Sequence, residues 1–275
     1  MDAAALYSMQ QSNGNYGRIR SFGSIGFIVG VVMAGWVFER FGIQWFVAVL
    51  LLSAVIRVMG AHFLPIFRAD RLLKEKPVVP VSGMIVLRHS GIMLVLVGSA
   101  MINASHGFVN AFSVMHWTNV GISTGIASVL WSVGVIAEVA LMWCYKDVAK
   151  KISARKCLLV ASAAGVVRWF MAGTDPGLVQ LLLLQTLHSI TFGLTFLATV
   201  NFIARRVHED HAAEAQSVYA MLSTLSIALA IWMSGWLYDQ FAGYSYWAMS
   251  LLALLGGICV ALSFRSDLDD PVTSG

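Results

Sequence analysis

Among the side chains inside apolar runs that can carry a charge or exchange a proton are Arg20, Glu138, Arg168 and His188, while Arg57 lies near enough to a span end to snorkel. Ionisable groups within a bilayer are costly and by default mark function. Glu138 is the only carboxylate deep inside such a run, which makes it a candidate proton carrier. Arg168 sits near the centre of its run, too deep to reach headgroups, and needs a partner. Glu138 is the fixed negative charge at that depth, so a purely structural Glu138–Arg168 pair is the alternative reading. His188 can exchange protons near neutral pH, and Gln185, His188 and Thr191 step by three along one helix face. Ser99, Asn103, His106 and Asn110 step by 4, 3 and 4, a polar stripe that Trp117 continues. Trp131, Gly134 and Glu138 share a further face. Arg20 and Ser24 lie four apart; Arg20 either anchors an anion with its forked donors or snorkels to headgroups.

The elements that position these groups are membrane spans. The 275 residues are 58% hydrophobic and 12% charged, against about a quarter charged in soluble domains. A span needs about 20 apolar residues. Eight stretches qualify: 19–38, 43–65, 92–115, 124–145, 155–173, 177–203, 214–237 and 243–264. The expectation is an all-α membrane protein of about eight transmembrane helices. Loops are short and rich in turn formers, as in AGTDPG at 172–177; the 67–90 stretch alone is long, charged and proline-containing. No cleavable leader pattern opens the chain. Cys144, Cys157 and Cys259 have no ligand-like spacing and read as helix filler. No Gly-rich phosphate loop, nucleophile elbow or H-E-x-x-H motif is present, which argues against an enzyme. His208 and His211 read as part of a solvated loop, and no metal or cofactor is expected.

Lys and Arg sort the loops. One side holds Arg68, Arg71, Lys74, Lys76, Arg88, Lys146, Lys150, Lys151, Arg155, Lys156, Arg205 and Arg206, with Arg18 and Arg265 flanking the first and last spans; the opposite side holds Arg40. Both termini are therefore expected in the cytoplasm. The net charge of +4 reflects this topology, and no nucleic-acid partner is implied.

GWVFERF at 35–41 and GWLYDQF at 235–241 share Gly, Trp and Phe at an offset of 200 residues. Each closes one span and turns into another. Two hairpins so related imply two parallel halves. The second copy closes a six-helix half, and the first should close another, so four helices are expected before Met1. The expected division is 1–66, end of the first half; 67–90, cytoplasmic linker; 91–265, six-helix bundle; and 266–275, cytoplasmic tail.

These residues also resemble a known family. YGRIRSFGSIGF (16–27) is similar to the loop and fifth helix of major facilitator superfamily transporters, in the branch of the lactose and phenylpropionate permeases. ASHGFVNAFSVMHW (104–117), LWSVGVIAEV (130–139), GVVRWFMAG (165–173) and LHSITFG (187–193) most resemble the phenylpropionate permease group. The match begins at the end of the fourth helix, in agreement with the repeat. The resemblance implies that Arg20 binds substrate with Asp2 as its partner carboxylate. It implies that His188 and Arg168 serve proton coupling. The lactose permease places a glutamate three residues after its histidine; Thr191 stands there here, so Glu138 is expected to take that part.

The resulting expectation is a monomeric, proton-coupled symporter of the bacterial inner membrane, with an aromatic carboxylate as solute. Its partners are a small organic solute, protons and the lipid bilayer. The substrate set is Asp2, Arg20, Ser24, Asn103, His106, Asn110 and Trp131; the proton set is Glu138, Arg168 and His188. The competing expectation is a truncated, transport-inactive fragment or a partner subunit.

Overall fold

The computed structural model describes residues 16–62, 85–207 and 209–266; the side chains at 16–21, 61, 85, 209 and 210 lie outside the description. The described chain is helical: α1 Tyr16–Phe41, α2 Phe46–His62, α3 Ile85–Arg88, α4 Ser90–Ala104, α5 Gly107–Asn119, α6 Thr124–Lys151, α7 Ala154–Ala172, α8 Leu178–Thr186, α9 Thr195–Arg206, α10 Glu209–Phe241 and α11 Tyr246–Leu262. Helical segments occupy all eight expected spans. By length and composition alone, six stretches of the described residues can cross a membrane. The last of these, His211–Arg265, contains both α10 and α11. The helix α7 is not among them; it carries Arg155, Lys156 and Arg168.

Two expected spans are interrupted. The first breaks at Ser105–His106 between α4 and α5. The Ser105 hydroxyl donates to the Ile102 carbonyl at 2.6 Å, the local competition that loosens a helix ladder. Next to it, Gly107 lets α5 press on α10: a Cβ there would meet the Ala230 Cβ at 2.7 Å. The second is widened by a π turn, Ser189–Leu194, between α8 and α9; such turns are rare and frequent at functional sites.

The repeated hairpin is present in three dimensions. α1 and α10 end at Phe41 and Phe241, each continues through a 3-10 turn (43–45, 242–245), and α2 and α11 start at Phe46 and Tyr246. Trp36 meets Phe41 edge-on at 5.8 Å, and Trp236 meets Phe241 edge-on at 6.4 Å. Even the turn backbone repeats: Gly42 and Ala242 both have positive φ, 89° and 47°.

α4 packs on α11 and α11 on α7. At the first crossing Gly98 and Gly256 each approach the other's carbonyl, which small residues permit. Gly26, Gly30 and Ala34 form a small-xxx-small row along α1, the pattern of a close-packing face. Gly26 and Gly30 instead meet nothing within 4 Å, and Gly35 makes the close contact, against Ser128 of α6. The half-buried side of α1 runs Ser24, Ile28, Val31, Gly35, Phe38, a 4-3-4-3 stripe against α6. α2 leaves Leu50, Leu51, Leu52, Val55, Ile56, Val58 and Met59 exposed, an apolar surface of the kind a bilayer covers.

Two buried clusters fill the bundle. One gathers Ile92, Leu96, Leu158, Ala198, Phe202 and Ile203. Val86 belongs to it with no exposed surface, so the described end of the expected 67–90 linker packs into the bundle, and Ser90 already starts a helix. The other gathers Phe108, Trp117, Leu130, Trp169, Leu184 and Tyr246. At one end of the bundle Arg155 donates to the Ser263 carbonyl at 3.0 Å. At the other, His116 Nε2 lies 2.7 Å from Asp175 Oδ1.

Candidate functional site

The charged groups converge where α6, α7, the π turn and the α4–α5 break meet. Arg168 of α7 is 2% exposed. Its Nη2 donates to Gln185 Oε1 at 2.6 Å and its Nη1 to Thr191 Oγ1 at 2.8 Å. His188 Nδ1 and His106 Nε2 lie 3.4 and 3.5 Å from Nη1. The guanidinium rests over the Trp169 ring, 4.3 Å from its centroid, and the Trp169 indole donates to Ser105 Oγ at 2.9 Å.

This geometry assigns the protons on both imidazoles. His106 Nδ1 faces the Asn103 carbonyl at 3.0 Å, so the neutral ring is protonated there. Its Nε2 is then the acceptor, 3.0 Å from the Thr191 hydroxyl. Arginine only donates, so His188 Nδ1 is an acceptor, and the neutral ring carries its proton on Nε2. That nitrogen lies 3.6 Å from Glu138 Oε2. Arg168 therefore sets the tautomer that aims a proton at Glu138. Two glycines allow the approach: a Cβ at Gly134 would lie 3.2 Å from the His188 Cβ, and one at Gly193 would lie 3.1 Å from Glu138 Cγ.

His106, Glu138, Arg168 and His188, drawn from four separate spans, thus share one buried network. Among the described residues the direct Arg168–Glu138 pair of the alternative reading is not formed. Arg168 spends its donors on Gln185 and Thr191, and the His188 ring stands between cation and carboxylate. Sequence reasoning left Gln185 and Thr191 out of the site, although both step with His188 along one face. Trp169 carried no such signal.

Beside the network a cleft of about 440 Å³ opens between the Asn103 region, α9 and α10. It is lined by Phe192, Phe196, Val200, Tyr219 and Ala220, with Asn103, Gln216, Ser223 and Thr224 as polar groups. Among the expected substrate residues, Asn103 lines it. His106 is fully buried below it. Asn110 is exposed, because the helix break turns it off the Ser99–Asn103–His106 stripe. Trp131 packs half-buried against the second cluster. Ser24 is half-buried on the α6-facing side of α1. Gly35 opposes Ser128 in antiparallel helices, so equal steps of 1.5 Å per residue bring Ser24 level with Glu138 and Val139. Arg20 is one turn further on, and its side chain lies outside the described residues, as does Asp2.

The HEDHAAEAQ stretch is not a solvated loop. α10 begins at Glu209, and His211 is buried, with Nδ1 3.4 Å from Glu214 Oε2. His208 lies outside the described residues. Among the described residues no cluster of three or more His, Cys, Asp or Glu side chains could hold a metal.

Residues 1–249 match the model of the MFS_1 like family. The chain belongs to the major facilitator superfamily. This major facilitator chain is 29% identical over 255 residues to the probable 3-phenylpropionic acid transporter of Escherichia coli (strain K12), covering 92% of this chain and 66% of that one. It is 24% identical over 273 residues to an uncharacterized transporter of Bacillus subtilis (strain 168), at 96% and 64% coverage. It is 23% identical over 268 residues to the maltose permease of Geobacillus stearothermophilus, at 94% and 64% coverage. The chain spans about two thirds of the length of the relatives it matches.

Proposed function

We propose that this chain works as a secondary active transporter of the bacterial inner membrane, carrying a small organic solute together with protons. The solute class is an aromatic carboxylate like that named for the Escherichia coli relative. The observation that carries the proton step is the His188 ring held between a fixed cation and a buried carboxylate. Glu138 takes up and releases the transported proton, and the His188 Nε2–H, 3.6 Å away, faces the carboxylate and stabilises its charged form. Arg168, facing Nδ1 at 3.4 Å, holds the ring in the tautomer that turns Nε2–H toward Glu138. Gln185 and Thr191 hold Arg168 against both states of the pair. The solute occupies the cleft beside Phe192 and Asn103. Arg20, with Ser24 and Asp2, meets its carboxylate from the α1 side. Rocking of two halves around this site gives alternating access.

Lys150, Lys151, Arg155, Arg206 and Arg265 close the helices at one end, which by the positive-inside rule is cytoplasmic. On this reading both termini are cytoplasmic, residues 91–265 form the six-helix half and the working unit is a monomer. The test is uptake of 3-phenylpropionate into proteoliposomes with an inward proton gradient. Accumulation above equilibrium that a protonophore abolishes supports the reading. Gradient-independent entry, or none, overturns it.

A further inference from the structure

Phe192 touches both the cleft and the proton site. It lines the cleft, and its ring is stacked on His188 with centroids 5.1 Å apart and planes 7° from parallel. Its edge meets His106 at 5.6 Å. The groups facing His188 are Arg168 from α7, Glu138 from α6 and His106 from the α4–α5 break. Phe192 thus touches both imidazoles and the space the solute enters. The π turn carries it: Phe192 lies four residues after His188, within Ser189–Leu194.

The cleft has a second property. None of its lining residues is charged. A carboxylate lodged there would be desolvated without a cation, which is strongly unfavourable. An uncharged ring fits: Phe192, Phe196 and Tyr219 offer aromatic faces, while Asn103, Gln216 and Thr224 offer neutral hydrogen bonds. At about 440 Å³ the cleft is within the range of small-molecule sites.

We propose that the cleft binds the uncharged aryl end of the solute, and that Phe192 couples ring occupancy to the proton on the Glu138–His188 pair. The inference rests on the carrier reading above. A solute ring packed against Phe192 shifts the imidazole stacked beneath it, and that changes the separation of Nε2 from Glu138 Oε2. Phe192 is thus a positioning residue for proton coupling, whereas Phe196 serves affinity alone.

Calorimetric titration of the purified chain with 3-phenylpropionate, in two buffers of different ionisation enthalpy, reads the protons exchanged per solute bound. Phe196→Ala is expected to weaken binding about tenfold, the upper end for one lost aromatic contact, with proton exchange unchanged. Phe192→Leu also loses an aromatic face of the cleft and is expected to weaken binding by up to about tenfold, yet, unlike Phe196→Ala, to lose most of the proton exchange per solute bound at saturation. 3-Phenylpropan-1-ol is expected to compete with 3-phenylpropionate while propionate does not; the reverse order overturns the assignment of the cleft to the ring. Proton exchange in Phe192→Leu equal to wild type overturns its coupling role. If Glu138→Gln abolishes exchange in that same series, the carrier reading stands without Phe192. If wild type binds neither aryl compound, both fall.

Discussion

Replacing Gln185 by leucine removes the acceptor 2.6 Å from Arg168 Nη2 while leaving the side-chain volume nearly unchanged. The donor belongs to a cation 2% exposed, and no water-facing position is open to it without moving α7. A hydrogen bond to a charged group contributes about 1.5–3 kcal/mol, and an unsatisfied buried donor costs a similar amount. Thr191 still accepts from Nη1, so the expected loss is about 2 kcal/mol and not the whole cost of an unpaired cation. At about 2–4 °C per kcal/mol for a chain of this size, unfolding should fall by about 4–8 °C. Thermal unfolding in detergent, followed by tryptophan fluorescence, reads this directly, since Trp169 lies under the guanidinium. Gln185→Glu keeps an acceptor in place and should stay within about 2 °C of wild type. A Gln185→Leu midpoint within about 1 °C of wild type would show that Gln185 does not hold Arg168.

The same assay separates two glycines. Gly98→Ala puts a Cβ 2.6 Å from the Gly256 carbonyl and 2.8 Å from Val260, so it should lower the midpoint by several degrees. Gly30→Ala meets nothing within 4 Å and should be neutral or stabilising by up to about 1 kcal/mol through helix propensity. Trp169→Phe preserves the stack on Tyr246 at 5.8 Å but loses the 2.9 Å bond to Ser105, a loss of about 1 kcal/mol. A Trp169→Phe variant as stable as wild type would deny that bond any share in holding the helix break.

Hydropathy alone located the eight spans, because a bilayer imposes one length and one composition, but not the short α3, which lies inside the expected linker. The hairpin repeat was legible too, since Gly-Trp and the closing Phe recur where the chain must end a helix and turn. That His106, Glu138, Arg168 and His188 meet follows less directly. His106, Glu138 and His188 each shared a helix face with other marked residues, and Arg168 stood too deep to reach headgroups, so these groups had few places to turn except toward one another. What was not legible was the order within the network. Arg168 bonds Gln185 and Thr191 through the packing of α7 on the α8–α9 span, and no periodicity within a helix carries that information. The break at Ser105–His106 was hidden for a related reason. A polar stripe at 4-3-4 spacing assumes an unbroken helix, and the break carried Asn110 to the surface. The buried His211–Glu214 pair was missed because a polar run reads as loop until the helix that buries it is in place.

The central claim is that the Glu138–His188 pair carries the transported proton. Proteoliposomes loaded with a pH dye, given an inward gradient of 3-phenylpropionate and no proton gradient, test it most directly. With wild type the lumen should acidify as solute enters. With Glu138→Gln, solute exchange should continue while the lumen pH stays constant. Acidification by the glutamine variant at the wild-type rate would contradict the account.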